Sequence, residues 1–287
     1  MTTTHKARLM DGKTLAQQVL EGAAAKVARI TQATGITPAL ATVLVGDDPA
    51  SATYVKMKGK RCENAGMTSV KIEMPAETTT EELVAKITEL GADPAINGIL
   101  LQHPVPDQID ERAAFEAIPV EKDVDGVTAG TLGRVALDMP AYGSCTPAGI
   151  MRLLDEYQVE LKGAEAVVVG RSPILGKPMA AMLLNRHTTV TVCHSRTREL
   201  NEVVRRADVV VAAVGRPRFV KGDWIKPGAV VIDAGYNEGN VGDVDFDAAV
   251  EVASLITPVP GGVGPMTLAT LIDQTADAAA KQLGVTF

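Results

Sequence analysis

Apolar residues follow two spacings along this chain, and the two alternate. Short runs rich in Val, Ile and Leu predict buried strands, because a strand buried on both faces is apolar at every position. Between the runs, apolar residues recur at separations of three or four positions, as at Leu15 and Val19 and again at Val27 and Ile30, which predicts helices. Strands are predicted at 40–45, 70–72, 99–101, 166–169, 189–193, 209–213 and 230–233, and helices at 14–30, 51–64, 80–90, 147–157, 176–185, 199–206 and 265–283. This alternation favours parallel sheets covered by helices.

A change in composition divides the chain. Residues 118–147 are rich in Gly, Pro and Asp and show little periodicity, so they are predicted to join two domains and to line a cleft. The chain has 287 residues, enough for two domains of ordinary size. We predict an α/β fold of two domains with a cleft between them. A three-layer parallel-sheet domain at 1–140 is completed by a helix at 265–287, and a Rossmann-like domain occupies 141–264.

Composition and charge narrow the range of partners. Aromatic residues make up 3% of the chain and the formal net charge is −7, so no nucleic acid is expected as a partner. No apolar run is long enough to span a membrane, and residues 1–10 lack the apolar core of a signal peptide. Cys62, Cys145 and Cys193 show no paired spacing, which favours a reducing cytoplasm. We therefore expect a cytoplasmic protein that binds small molecules and no membrane.

A turn after the strand at 166–169 points to a dinucleotide. The β-branched run breaks at Gly170 and an apolar helix begins at Gly176, where free N–H groups suit a pyrophosphate. The next strand ends near Ser195 and Arg196, where an NAD-preferring site would usually offer Asp or Glu to the ribose 2′-hydroxyl. These two residues and Arg171 suit a 2′-phosphate instead, so we predict NADP as the cofactor. The alternative is a parallel-sheet domain with solvated arginines.

The helix predicted at 51–64 carries a second group of candidates. Ser51, Tyr54 and Lys58 lie at positions i, i+3 and i+7 on one face, while Lys56 and Lys60 share another. An aromatic ring can stack on a flat substrate, and a partly buried amine can move a proton or activate water. The alternative is a solvated basic helix with a tyrosine at the edge of the core.

Two further polar residues stand at positions that suit ligand binding. Gln102 follows the strand at 99–101, at the carboxyl end where open α/β sheets bind ligands, and its amide can orient a lysine by hydrogen bonding. Asp125 lies in the junction loop, where a carboxylate can hold a planar donor edge with two hydrogen bonds. A loop cap at Gln102 and a plain Asp-Gly turn at Asp125 are the alternatives.

Metal and nucleophilic chemistry have little support in the sequence. The histidines His5, His103, His187 and His194 show no metal-ligand spacing, so no metal is expected. The segment 143–145 contains a serine but lacks the G-x-S-x-G pattern of a hydrolase nucleophile.

Taken together, these segments resemble the bifunctional methylenetetrahydrofolate dehydrogenase/methenyltetrahydrofolate cyclohydrolase family. The resemblance covers nearly the whole chain, and its longest and most specific segment is Thr-Pro-Val-Pro-Gly-Gly-Val-Gly-Pro-Met-Thr at 257–267. The other matching segments are 11–13, 43–46 with 49–51, Tyr54 and Val55 with Lys58, 98–100 with Gln102, 122–126, 145–147 and 170–172.

The resemblance implies that NADP⁺ takes a hydride from 5,10-methylenetetrahydrofolate, and that water opens the methenyl product to 10-formyltetrahydrofolate. It implies that Lys58 is the cyclohydrolase lysine, Gln102 its hydrogen-bonded tuner, Tyr54 the ring stacked on the folate and Asp125 the anchor of the pterin edge. By the same resemblance the protein is a homodimer built through the nucleotide domain. The implied cofactor-binding residues are Gly170, Arg171, Ser172, Gly176, Ser195, Arg196, Tyr236 and Thr146, and the further substrate-binding residues are Pro260, Gly261 and Gly262.

The chain departs from the family pattern at a few positions. His103 stands where an aliphatic residue is usual, Val127 and Thr128 replace a bulkier pair, and Tyr236 replaces an isoleucine beside the nicotinamide. Two alternatives stay open at this point. One is an NADP dehydrogenase for another substrate, either a one-carbon carrier of the tetrahydromethanopterin type or a shikimate-like hydroxy acid. The other is an NADP-binding subunit without turnover.

Overall fold

The computed structural model describes residues 6–287, apart from the side chain of Ala50, and divides them into two compact units. His5 lies outside the described residues. The first unit is called the six-stranded unit and the second the three-stranded unit, after their sheets. The six-stranded unit contains the described residues up to Gln17, Val135–Met139 and Ser144–Thr267, and the three-stranded unit contains Gln18–Arg134, Pro140–Gly143 and Leu268–Phe287.

The described residues form nine strands and ten α-helices in alternation. The strands are β1 Arg8–Leu9, β2 Ala39–Val45, β3 Thr68–Met74, β4 Gly98–Leu101, β5 Glu165–Val169, β6 Thr189–Cys193, β7 Val209–Ala212, β8 Val230–Asp233 and β9 Leu255–Ile256. The helices are α1 Gly12–Thr34, α2 Pro49–Asn64, α3 Thr80–Ala92, α4 Glu111–Glu116, α5 Ala129–Ala136, α6 Cys145–Glu156, α7 Gly176–Asn185, α8 Leu200–Arg205, α9 Phe246–Ala249 and α10 Val263–Gln282. None of these helices is long and apolar enough to cross a membrane.

The three-stranded unit is built on a parallel sheet of order β3-β2-β4. Every residue of the central strand β2 is buried, as its unbroken apolar sequence predicts. Helix α2 begins where Asp48 accepts a hydrogen bond from the backbone N–H of Ser51, at 2.7 Å, and Pro49 occupies its first turn. Helix α10 is tied to this unit by an ion pair between Lys26 and Asp273, at 2.7 Å.

The six-stranded unit contains a parallel sheet of order β1-β9-β8-β7-β5-β6. Strands β7 and β8 lie inside the sheet and are buried at every position. Because all six strands run parallel, the loops that follow them all leave from the carboxyl ends of the strands, on the same side of the sheet. Open α/β sheets bind ligands at these carboxyl ends.

The predicted α/β class with two parallel sheets is confirmed, and most predicted elements have the predicted type and position. The sequence missed the two-residue strands β1 and β9, because each is defined by its pairing and is too short to show a period. It also missed α5 inside the junction at 118–147. Two glycines hide the period of α5, whose start is capped when Thr128 Oγ1 accepts from the N–H of Thr131, at 3.0 Å.

The described residues from Lys6 to Gln17 group with the six-stranded unit. The N–H of Met10 donates to the carbonyl of Ile256, at 2.9 Å, and extends the pairing of β1 with β9. The division of the two functions between domains, and the cleft between them, stay predictions.

Two glycines inside helices provide a matched test of packing. A Cβ at Gly149 in α6 would lie 2.9 Å from Cβ of Met266, whereas a Cβ at Gly22 in α1 would meet nothing within 4 Å. We expect Gly149→Ala to lower the free energy of unfolding by about 1–3 kcal/mol through overpacking. Gly22→Ala should raise it by about 0.5–1 kcal/mol, because alanine favours the helix. Urea denaturation of both variants measures the difference, and equal effects would contradict the packing assignment.

Candidate functional site

A lysine and a glutamine meet in the three-stranded unit. Lys58 lies on α2, and its Nζ donates to Oε1 of Gln102, at 3.0 Å. Gln102 directly follows β4 and is buried, and its backbone N–H extends the sheet pairing by donating to the carbonyl of Val43. Its Nε2 donates to the carbonyl of His103, at 2.8 Å. This second bond fixes the orientation of the amide, so that its oxygen faces the lysine.

Tyr54 lies one turn before Lys58 on the same helix. Its side chain is 42% exposed, whereas Ser51 and Val55 on the inner side of α2 are buried. Lys56 is exposed, and so belongs to the solvated part of this helix. The structure therefore presents a partly exposed ring next to the lysine–glutamine pair.

The loop that carries Asp125 is held by buried polar contacts. The carboxylate of Asp123, which is fully buried, accepts from the N–H groups of Val127 and Thr128, at 3.0 and 2.9 Å. Nε2 of Gln274, on α10, donates to the carbonyl of Val124, at 2.7 Å. Asp125 itself is half-buried. Asp123, which shapes this loop, was not among the residues predicted from the sequence. Asp is nevertheless typical of turns in which a side chain accepts from nearby backbone N–H groups.

Lys122 anchors the same loop at its start. Its Nζ donates to the carbonyl of Asp93, at 2.6 Å, just beyond the end of α3. The side chain is buried, and this burial lowers the pKa of Lys122. A cation bound to the last carbonyls of a helix also stabilises the helix dipole. Together with Asp123 and Gln274, this lysine fixes the loop on both sides of Asp125.

In the six-stranded unit, the turn after β5 leaves no room for a Cβ at either of its two glycines. Gly170 has φ +133°, and a Cβ there would lie 2.1 Å from the carbonyl oxygen of Ala213. A Cβ at Gly176, the first residue of α7, would lie 2.3 Å from the carbonyl oxygen of Gly170. Oγ of Ser172 accepts from the N–H groups of Leu175 and Gly176, at 3.1 and 3.4 Å. A glycine turn closed against a helix start fits the pyrophosphate of a dinucleotide.

The turn after β6 lies beside this glycine turn. The N–H of Gly170 donates to the carbonyl of Cys193, at 2.9 Å, so the exits of β5 and β6 are neighbours. Residues 194–197 form a tight turn in which the N–H of His194 donates to Oγ1 of Thr197, at 2.8 Å. The predicted phosphate-binding residues Arg171, Ser195 and Arg196 are all exposed at these two exits.

The remaining predicted cofactor residues lie in the same unit. Tyr236 follows β8, is 61% exposed, and its hydroxyl donates to Oδ1 of Asn240, at 2.6 Å. Thr146 lies in the first turn of α6, and its Oγ1 is 3.0 Å from Oγ1 of Thr267. Thr267, on α10, was not singled out by the sequence analysis as a partner of Thr146.

The predicted substrate segment Pro260–Gly262 follows β9. Pro260 is exposed, Gly261 has φ +108°, and Gly262 is buried. A Cβ at Gly12 would lie 1.8 Å from the carbonyl oxygen of Gly262, so the start of α1 requires a glycine against this segment. The structure thus brings together two segments that carry the resemblance, 11–13 and 257–267, within one unit.

Two carboxylates lie beneath these loops, and nothing in the sequence analysis predicted them. Asp233 ends β8 and is 2% exposed, and Asp243 is fully buried. Burial raises the pKa of Asp233 from 3.8 to about 6, against the opposing effect of three backbone N–H donors. No group of three or more His, Cys, Asp or Glu side chains suited to a metal occurs in the part of the chain that the structure describes.

The fold and the glycine turn define an α/β protein of the dinucleotide-binding class. Residues 10–125 match the model of the tetrahydrofolate dehydrogenase/cyclohydrolase catalytic domain, and residues 144–283 match that of the family's NAD(P)-binding domain. The chain belongs to the tetrahydrofolate dehydrogenase/cyclohydrolase family.

Relatives match the chain over almost its full length. It is 62% identical to the bifunctional protein FolD of Saccharophagus degradans, over 97% of this chain and 99% of that protein. It is also 62% identical to FolD 1 of Streptomyces avermitilis, over 99% of both.

Solved structures of related proteins also match almost the whole chain. The bifunctional FolD methylenetetrahydrofolate dehydrogenase/cyclohydrolase of Campylobacter jejuni has a TM-score of 0.93 at 42% identity, over 96% of this chain and 99% of that one. The Trypanosoma brucei FolD complexed with NADP and an inhibitor has a TM-score of 0.92 at 36% identity, over 96% and 98%. A shikimate dehydrogenase of Thermus thermophilus has a TM-score of 0.51 at 16% identity, over 86% and 100%, which shows a likeness of fold alone.

The raised pKa of Asp233 predicts a pH dependence of stability. The folded state binds the proton of Asp233 more tightly than the unfolded state does, so ionisation of Asp233 lowers the free energy of unfolding. This destabilisation is fully present above about pH 6 and disappears as the pH falls through 6 toward 3.8. Between pH 7 and pH 5 we expect the contribution of Asp233 to improve by about 1 kcal/mol. Urea denaturation of the protein and of Asp233→Asn at both pH values tests this, and identical pH dependence would contradict it.

Proposed function

We propose that this chain oxidises 5,10-methylenetetrahydrofolate with NADP⁺ and hydrolyses the resulting 5,10-methenyltetrahydrofolate to 10-formyltetrahydrofolate. The observation that carries the proposal is the hydrogen bond between Lys58 Nζ and Gln102 Oε1, because hydrolysis needs a basic group and this one has a fixed direction. Family membership and the FolD names of relatives at about 60% identity support the same pair of activities.

In the hydrolytic step, water adds to the carbon of the methenyl cation between N5 and N10. The bond from this carbon to N5 then breaks, N5 receives a proton, and one proton is released overall. We assign Lys58 the transfer of protons to and from the attacking water and N5. Gln102 acts through the lysine, since its fixed amide oxygen accepts one N–H of Nζ and thereby sets the direction of the amine.

In the oxidative step, NADP⁺, when bound, accepts the hydride that leaves the methylene carbon. The lone pair of a folate nitrogen supports the developing cation, so no protein acid or base is needed, and the protein's task is alignment. We assign the pyrophosphate to the turn from Gly170 through Ser172 to Gly176, whose two glycines have no room for a Cβ. Thr146 and Tyr236 are assigned to the nicotinamide half of the cofactor.

We assign the adenosine 2′-phosphate to Arg171, Ser195 and Arg196. These side chains are exposed at the neighbouring exits of β5 and β6, where the ribose lies in proteins of this class. A guanidinium forms charge-assisted bonds with phosphate that a ribose hydroxyl cannot replace. The NADP bound by the Trypanosoma brucei relative agrees with this preference.

We assign the reduced folate to Tyr54, Asp125 and the segment Pro260–Gly262. The ring of Tyr54 is partly exposed one turn from Lys58, which suits stacking on a flat pterin. The half-buried carboxylate of Asp125 sits in a loop held by Asp123, so it can accept from adjacent N–H groups of the pterin edge. Another one-carbon carrier and a binding subunit without turnover are disfavoured, because the relatives at this identity are bifunctional enzymes.

We infer that the protein is a homodimer formed through its six-stranded unit. Strand β6 is an edge of the sheet, and Val192 on it and Leu184 on the adjacent α7 are exposed apolar residues. An exposed sheet edge is a ready surface for pairing with a second chain. We place the protein in the cytoplasm, since its three cysteines are buried and none of them forms a disulfide.

Lys58→Met tests the hydrolytic assignment. Methionine keeps the length of the side chain and removes the amine, so hydrolysis of methenyltetrahydrofolate should fall by at least about 100-fold. Binding of NADP⁺, measured by calorimetry, should stay within about two-fold of the original affinity because its residues lie in the six-stranded unit. Lys56→Met, an exposed position on the same helix, is the matched control and should retain hydrolysis. Equal losses in the two variants would show that the lysine at 58 has no chemical role.

Arg171→Ala tests the cofactor assignment. Loss of a charge-assisted hydrogen bond to the 2′-phosphate should weaken NADP⁺ binding by about 1.5–3 kcal/mol, or roughly ten-fold to more than 100-fold. NAD⁺ serves as the internal control, because it lacks this phosphate and its affinity should hardly change. Calorimetric titration with both cofactors measures the preference. An unchanged ratio of the two affinities would remove the 2′-phosphate from this position.

A further inference from the structure

The two buried carboxylates beneath the cofactor loops have no part in the chemistry proposed above. Asp243 and Asp233 both lie in the six-stranded unit and are 0% and 2% exposed. A buried carboxylate is costly unless its oxygens accept hydrogen bonds, so the identity of its partners indicates its purpose.

Asp243 binds three consecutive N–H groups of the loop that follows β7. Its Oδ2 accepts from Val214 and Gly215, at 2.6 and 2.9 Å, and its Oδ1 accepts from Arg216, at 2.9 Å. Three successive N–H groups that converge on one carboxylate restrain the backbone of the loop strongly. The carboxylate therefore fixes the course of residues 214–216.

This loop forms one wall of the glycine turn. The N–H of Ala213 donates to the carbonyl of Val169, at 2.8 Å, and its carbonyl oxygen occupies the space that a Cβ at Gly170 would need. A shift of residues 214–216 would therefore displace Ala213, and Ala213 would in turn displace the turn assigned to the pyrophosphate.

The same carboxylate also holds the loop that follows β8. Oδ1 of Asp243 accepts from Nδ2 of Asn237, at 3.0 Å, next to Tyr236. Asp233 completes the arrangement by accepting from the N–H groups of Gly235 and Asp243, both at 2.9 Å. The loops after β7 and β8 thus share one buried acceptor.

Two glycines make room for this arrangement. A Cβ at Gly235 would lie 2.3 Å from Oδ1 of Asp243, and a Cβ at Gly242 would lie 1.9 Å from Oδ2 of Asp233. The two carboxylates and the two glycines are closely packed, so a larger side chain at any of these four positions would shift the loops.

We propose that Asp243 is a positioning residue for the dinucleotide cofactor, and that it acts by holding the loops after β7 and β8 in the conformation that receives the nicotinamide half. The proposal rests on the cofactor site of the proposed function. It assigns Asp243 no contact with either substrate. The lysine–glutamine pair lies in the other unit, so Asp243 does not contact the groups assigned to proton transfer in hydrolysis.

Asp243→Asn is the primary test. Both carboxylate oxygens accept N–H donors, so either orientation of the amide turns its NH₂ group toward a donor and loses at least one bond. We expect the Kd for NADP⁺ by calorimetry, and the KM for NADP⁺, to rise about ten-fold or more. Hydrolysis of methenyltetrahydrofolate without NADP⁺ should stay within about two-fold.

The matched control is Asp208→Asn, at the opposite end of β7. Asp208 accepts from the N–H of Glu165, at 2.9 Å, and from Nζ of Lys226, at 2.6 Å, so it also ties two segments together. Its loss should lower stability and leave the Kd for NADP⁺ within about two-fold. Equal rises in Kd in the two variants, or an unchanged Kd in Asp243→Asn, would overturn the proposal.

Asn237→Ala keeps the proposal testable if Asp243→Asn does not fold. It removes one donor to Asp243 and leaves the three backbone donors in place, so a rise in the Kd for NADP⁺ of about three- to ten-fold is expected. Amide hydrogen exchange of the free protein should become faster in 214–216 and 235–241, and an unchanged Kd with unchanged exchange would overturn the proposal. Because both readouts need no turnover, a failure of the proposed reactions would be seen separately.

Discussion

Parallel strand pairing is the constraint on which the rest of this structure depends. In each sheet the strands run in one direction, so residues far apart in the sequence leave from the same edge. Gly170 and Cys193 become neighbours through the pairing of β5 with β6, and Gln102 meets Lys58 because β4 ends beside the helix that follows β2. Each candidate site therefore combines residues from different loops on a rigid support.

Buried polar side chains then give those loops a fixed shape. Asp123 accepts from the backbone of its own loop, Lys122 binds a helix end, and Asp243 binds three N–H groups after β7. Loops at a ligand site have few apolar side chains with which to pack, so hydrogen bonds to a buried acceptor replace apolar packing. The same logic orients the amide of Gln102, whose nitrogen is occupied by the carbonyl of His103.

The two proposed reactions make different demands, and the chain meets them with different means. Hydrolysis needs a group that moves protons, and Lys58 with Gln102 supplies a basic atom of fixed direction. Hydride transfer needs alignment, which we assign to the glycine turn, to Tyr236 and to loops held by the buried carboxylates. Bifunctionality thus requires no sharing of catalytic groups, only a product that is the substrate of the next step.

The sequence by itself determined the fold class and the position of nearly every long element, and it indicated candidate residues for both sites. The unbroken apolar runs of β2 and β7, the glycine break at Gly170, and the motifs around Lys58 and Asp125 are local signals, and local signals are readable from sequence. Only the tertiary structure decided which polar residues serve as supports. Asp123 and Asp243 look like ordinary loop aspartates, because their partners are backbone N–H groups whose direction depends on the folded path of the chain. The short strands β1 and β9 likewise exist only through their pairing.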